Sequence, residues 1–171
     1  MYLAGLIADD AQMTRKDLQR WVAKAYCGAL CGSTVAWVAA GRAHGWEVGL
    51  EWSDSKAPLT AAAGWATMSS LVSIKDDTQL DLAALKRLLQ RAQKTIHQAP
   101  DVVRYQMNSF VIAVGSYVKP LTDTAIQSEK KIGLVTVDMG NTSCQAPFAP
   151  DYIRKVQKRG TIGRKRKTAK C

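Results

Sequence analysis

Acidic residues are missing from two long stretches of this 171-residue chain, and the side chains that build most active sites are scarce throughout. No Asp or Glu occurs from Val22 to Gly45, and none from Tyr152 to Cys171. Two histidines with no nucleophile nearby do not make a triad, and the chain has no P-loop, no GxGxxG and no HExxH. The four cysteines, at 27, 31, 144 and 171, form no CxxC pair. Cys27 and Cys31 can begin a metal site with His44 or His97, but a tetrahedral set is not completed, so both are read as small buried hydrophobes. Neither metal nor cofactor is expected. The uncharged stretch Ala25 to Gly41 is broken by Cys, Ser, Thr and Gly and is shorter than the ~20 apolar residues of a membrane span. It reads as a core helix. Met1 to Ala8 lacks a basic flank and runs into Asp9 and Asp10, unlike a signal peptide, so a cytoplasmic protein is expected.

What is abundant is positive charge, and it is concentrated. Of a net charge of +10, the last 20 residues supply nine cations, leaving fifteen basic against fourteen acidic residues before them. Such a segment repels itself and binds polyanions by releasing their counterions, which predicts a disordered tail that meets nucleic acid.

Nearly every periodic segment repeats at helical spacing. Thr14 caps a helix over Arg15 to Tyr26, with Leu18, Trp21, Val22 and Ala25 along one face. Ala29 to Ala40 reads as a buried helix and Glu47 to Trp52 as a short one. Pro58 opens a helix running to Ile74. Leu80 to Gln98 carries a continuous apolar stripe, Val102 to Val118 is apolar and buried, and Leu121 to Ile132 ends at Gly133. Only Leu134 to Val137 looks extended; a loop follows, then a last helix over Ala149 to Lys158. Helix pairs beginning near 15, 44, 80 and 119 recur at a spacing close to that of HEAT-type repeats. The expected architecture is therefore an all-α solenoid of about four stacked helix pairs, with an irregular bundle as the competing arrangement. The boundaries predicted are repeats over 1–133, a loop and last helix over 134–159, and a disordered basic tail over 160–171. Met1, Tyr2, Leu3, Leu6 and Ile7 give the first helix an apolar face without a cap, which predicts missing N-terminal repeats or a partner covering it.

Several stretches resemble the HEAT-like DNA alkylation repair proteins, the AlkD type of DNA glycosylase and its relatives. They are Ala8 and Asp9, Met13 to Val22 (MTRKDLQRWV), Glu51 to Ser53 (EWS), Ala63 to Trp65 (AGW) and above all Val103 to Gly115 (VRYQMNSFVIAVG). The loop Val137 to Cys144 (VDMGNTSC), with Pro147, Tyr152 and Ile153, resembles the C-terminal extension of one branch of that family. The resemblance implies a concave, positively charged surface that holds DNA and, in active members, excises alkylated purines. An aspartate in a W-D-x-x-D arrangement would stabilise the cationic sugar, helped by a second tryptophan and an arginine.

Carried over by position, that catalytic set is absent. Gly28 stands for the tryptophan, Gly32 for the aspartate, Ser109 for the second tryptophan and Ala62 for the arginine. The carboxylates left to replace it are Asp17, Glu47 and Asp138, the last beside Cys144 in a loop that also reads as an Asx-turn pinned by a buried thiol. The expectation is a DNA-binding relative, with duplex DNA as partner, lacking the catalytic site. The alternative is a non-enzymatic scaffold that binds a protein and docks nucleic acid by its tail. Arg104 and Tyr105 begin a buried helix, where they either meet a phosphate or finish its surface. The candidate nucleic-acid contacts are Arg104, Arg154, Lys155, Lys158, Arg159, Arg164, Lys165, Arg166, Lys167 and Lys170.

Overall fold

The computed structural model describes residues 1–141 and 145–170. Cys144 and Cys171 lie outside the described residues, so the reading of Cys144 as a thiol that pins its loop does too. The chain is helical throughout, and no strand occurs among the described residues.

A short helix α1 (Tyr2–Ile7) leads into α2 (Arg15–Lys24). Its start is fixed by a reciprocal cap: Asp17 N–H donates to Thr14 Oγ1 at 3.2 Å and Thr14 N–H donates to Asp17 Oδ2 at 3.1 Å. The next helix is one rod in three parts, α3 (Gly28–Leu30), a π-helical turn (Cys31–Val35) and α4 (Ala36–Ala40). Sequence periodicity gave no sign of that turn. Then follow α5 (Gly45–Ser53), α6 (Pro58–Ile74), α7 (Leu82–Thr95), α8 (Asp101–Tyr117), α9 (Thr122–Ile132) and α10 (Ala149–Lys158). Pro58 lies in the first turn of α6, Asp81 Oδ1 accepts from Ala84 N–H at 2.8 Å to open α7, and Gly133 ends α9 at φ 72°.

These helices form four antiparallel pairs, α2 with α3–α4, α5 with α6, α7 with α8 and α9 with α10, stacked into a solenoid. The second members, α3–α4, α6, α8 and α10, pack side by side as an inner layer, and the first members form the outer layer. Small residues set the spacing. A Cβ at Gly64 would stand 2.6 Å from the Trp52 carbonyl carbon, so α6 rests directly on the α5 backbone. Across the inner layer, Trp65 of α6 meets Phe110 of α8 edge-on at 5.2 Å, and both are fully buried. The Arg91 guanidinium covers the Trp65 ring at 4.9 Å. Leu134 to Val137 is extended, but it pairs with no strand; Val135 is buried, and the segment is held by Arg104, which donates to Thr136 O at 2.8 Å.

Glu129, on the packed face of α9, is 1% exposed, and neither carboxyl oxygen has a partner. Burial pushes its pKa from 4.5 up to about 8. Between those two values the folded protein keeps a proton that the unfolded chain has released, so stability falls as pH rises across the window. Glu129→Gln is expected to flatten this dependence and to raise Tm at pH 8 by roughly 5 °C, with little change at pH 4.5. Thermal melts of both proteins from pH 4.5 to 8.5 check it; parallel curves would show that Glu129 is not the group responsible.

Candidate nucleic-acid interface

Residues 160–170 do not form the disordered tail expected from their charge. They run as a strap along one rim of the solenoid. The last-turn carbonyls of α6 and α8, which lack intrahelical partners, emerge on that rim. The strap meets them in reverse chain order. Gly163 N–H donates to Ser116 O at the end of α8 at 2.9 Å. Arg166 N–H donates to Ser73 O at the end of α6 at 2.7 Å, and Lys165 Nζ donates to Val72 O at 2.9 Å while pairing with Asp77 at 2.8 Å. Lys170 then reaches Ala8 O at 2.7 Å and Asp10 at 2.8 Å; the Asp10 carboxylate packs against Gly41, just past the end of α4. Ala169 is buried in the core and Ile162 packs against it. The cationic segment thus answers the negative ends of two inner helices, α6 and α8, and the carboxylate beside the end of a third, a more favourable place for it than water.

Between the strap, α10 and the inner helices lies a groove of about 1070 Å³. Its floor comes from α6 and α8: Ala66, Ser69, Ser70 and Ser73 from the first, Tyr105, Gln106, Ser109, Ile112, Ala113, Ser116 and Tyr117 from the second. Gly32 borders it from the π-helical turn. The remaining wall carries Tyr152, Lys155 and Arg159 from α10 and Arg164, Lys165, Arg166 and Lys167 from the strap. Among the described residues no carboxylate side chain lines the groove, and all six cations that line it stand on the α10 and strap side.

The positions singled out by resemblance lie beside this groove or pack into the helices around it. A Cβ at Gly32 would overlap the Gln106 side-chain amide, so the place of the aspartate is filled from α8. A Cβ at Gly28 would stand 2.7 Å from Val102 Cγ2, so α3 closes directly against the start of α8. Ala62 is fully buried, and Ser109 Oγ donates to Tyr105 O at 3.0 Å in place of an aromatic face. None of the substitute carboxylates lines the groove. Asp17 is spent on the α2 cap, and its bond from Thr14 lowers its pKa. Glu47 is in the first turn of the outer helix α5, and Asp138 Oδ1 accepts from Gly140 N–H at 2.8 Å in an Asx-turn while Asp138 N–H donates to Asp101. Cys31 is fully buried, and desolvation followed by Cys27 pushes its thiol up to about 11.

The ten candidate contacts divide. Arg104 is a structural residue: it donates to Thr136 O, Ala99 O and His97 O and pairs with Asp101 at 3.2 Å, tying the extended segment to α8. Arg154 pairs with Asp151 at 3.0 Å outside the groove, and Lys158 is also outside it. Lys165 and Lys170 hold the strap. Lys155, Arg159, Arg164 and Lys167 are exposed and have no acidic partner among the described residues. Sequence charge located the wall but could not separate anchors from free cations, because the anchoring carbonyls and carboxylates are some 45 to 160 residues away in the chain.

Four stacked helix pairs with one concave groove define a HEAT-like helical repeat protein, and comparison with known proteins narrows this. No protein-family model matches the chain. It is 30% identical over 160 residues to the uncharacterized protein Lin0241 of Listeria innocua, spanning 93% of this chain and 68% of the relative. It is 35% identical over 108 residues to the uncharacterized protein Lmo0209 of Listeria monocytogenes, spanning 63% of this chain and 45% of that one. A solved structure described as a new family of proteins related to the HEAT-like repeat DNA glycosylases, with affinity for branched DNA structures, superposes at a TM-score of 0.92. That match has 30% identity and covers 100% of this chain and 73% of the other. The chain belongs to this family of proteins related to the HEAT-like repeat DNA glycosylases. No helix among the described residues is long and apolar enough to cross a membrane.

The strap's role yields a stability prediction. Deleting residues 160–171 exposes the Ser73 and Ser116 carbonyls and unpairs Asp77 and Asp10. Lost hydrogen bonds and lost burial of Ala169 and Ile162 together are worth about 2–3 kcal/mol, a drop of roughly 5–10 °C in Tm. Differential scanning calorimetry checks this, and an unchanged Tm would return the segment to the status of a loose tail.

Proposed function

We propose that this protein binds DNA in the groove between α10, the strap and the inner helices, with branched DNA as its target, and does not cleave the glycosidic bond. The observation that carries the reading is a groove without a carboxylate side chain among the described residues, with Lys155, Arg159, Arg164 and Lys167, which have no acidic partner among them, along one wall. Those four cations meet phosphates; Arg166 adds its charge, while Arg154 and Lys158 lie outside the groove and contribute only at longer range. The solved relative with affinity for branched DNA structures supports a junction in preference to linear duplex as the partner. Hydrolysis by the family's route needs a carboxylate beside the sugar, worth several kcal/mol of barrier, and the Gly32 and Gln106 arrangement fills its place with a neutral amide.

Four phosphate contacts give a log–log dependence of affinity on salt with a slope of roughly −3 to −4. The combined change Arg159→Ala, Arg164→Ala and Lys167→Ala is expected to reduce that slope by about 2–3 while leaving the Lys165 and Lys170 anchors in place. Fluorescence anisotropy with a labelled four-way junction and a linear duplex of equal length measures both slope and preference. An unaltered slope would move the DNA contact off this wall. Incubation with methylated duplex is expected to release no 3-methyladenine or 7-methylguanine above a protein-free control, and release above it would restore a catalytic carboxylate to the site.

A further inference from the structure

Resting on the DNA-binding reading above, we infer that the occupant of the groove is an unpaired strand at the branch, not a paired arm. Charge placement is the first argument. Every cation lining the groove comes from α10 or the strap, and every lining residue from α6, α8 and the π-helical turn is uncharged. A duplex presents two phosphate backbones, one to each side of whichever groove faces the protein. A single strand presents one backbone, with its bases on the other side. A groove with its cations on one side and hydroxyls, an amide and the rings of Tyr105 and Tyr117 across from them, with Tyr152 at the edge of the cationic wall, matches the second pattern.

Size is the second argument. About 1070 Å³ is close to the upper end of the ~300–1,000 Å³ range of pockets that enclose small ligands. That is room for a few unpaired nucleotides, whereas a duplex whose major groove alone is ~12 Å wide can only lie across the opening.

The third argument is the lining itself. Tyr105, Tyr117 and Tyr152 all border the groove, and Tyr152 is half exposed. Tyrosine faces stack on any base, so binding by this means tolerates sequence, as expected for recognition of a branch by shape. Gln106 adds an amide donor and acceptor, and Ser116, 3% exposed, has a hydroxyl without a partner at the groove wall. Phosphates therefore follow Lys155, Arg159, Arg164 and Lys167, and bases turn inward to the tyrosines and Gln106.

The test uses the full chain and two versions of one branched DNA, one with every arm paired and one with a four-nucleotide unpaired arm. The second is expected to bind at least about 10-fold more tightly. Tyr105→Ala and Tyr152→Ala should each weaken it about 5- to 10-fold, and the corresponding Tyr→Phe changes less than about 2-fold. In the unaltered protein, 5-iodouracil in the unpaired arm should photocrosslink to peptides from α8 or α10, and 5-iodouracil in a paired arm should not. Equal affinity for the two DNAs, or crosslinks from the paired arm alone, overturns the inference and leaves branched-DNA binding standing. Binding to neither DNA overturns the inference together with the function it rests on.

Discussion

The carbonyls that end the inner helices α6 and α8 emerge along one rim, and they must be paired with something. Here the partner is the last stretch of the same chain. Gly163 and Arg166 supply backbone donors to Ser116 O and Ser73 O, Lys165 supplies charge to Asp77 just past the end of α6, and Lys170 to Asp10 beside the end of α4. These contacts join residues from opposite ends of the sequence and tie α8, α6 and the end of α4 into one edge. The groove exists because that edge stands above the small-residue floor of α6 and α8.

The helices were legible because their signals are local. The Thr14 and Asp17 cap, the Asp81 cap, Pro58 and Gly133 mark ends within a few residues of themselves, and the observed boundaries fall close to them. The fold class followed from the spacing of the pairs. What was not legible depends on contacts between distant segments. A run of cations without carboxylates reads as a solvated tail until its partners are known, and those partners are backbone carbonyls that leave no mark in sequence. The surroundings of Arg104 were hidden for the same reason: its guanidinium donates to three carbonyls, two of them close in sequence but brought together only by the bend at Pro100. The π-helical turn at Cys31–Val35 also escaped, since it changes hydrogen bonding without changing apolar spacing.

The candidate site was half legible. That a carboxylate is absent from Val22 to Gly45 can be read directly, and it excludes the family's catalytic aspartate in any register. That the vacancy is closed by Gln106, and the helices drawn together by Gly28 and Val102, requires coordinates. The distinction has a physical consequence. A side chain at Gly32 must move the end of Gln106 aside, and a new carboxylate there would sit in a groove arranged to attract phosphate.

The same closure accounts for the sign of the groove. Left bare, the C-terminal ends of α6 and α8 would present roughly half a negative charge each at the rim, and the carboxylates of Asp77 and Asp10 would add to it. A phosphate would be repelled from the place where the groove opens. The strap neutralises both carboxylates with Lys165 and Lys170 and satisfies the carbonyls with its backbone, so that Arg164 and Lys167 project from a rim that no longer opposes them. Anchoring and free cations alternate within one short segment, and each set depends on the other: without the anchors the free charges have no fixed position, and without the free charges the rim is only neutral. A single stretch of chain therefore both completes the fold and sets the polarity of its groove.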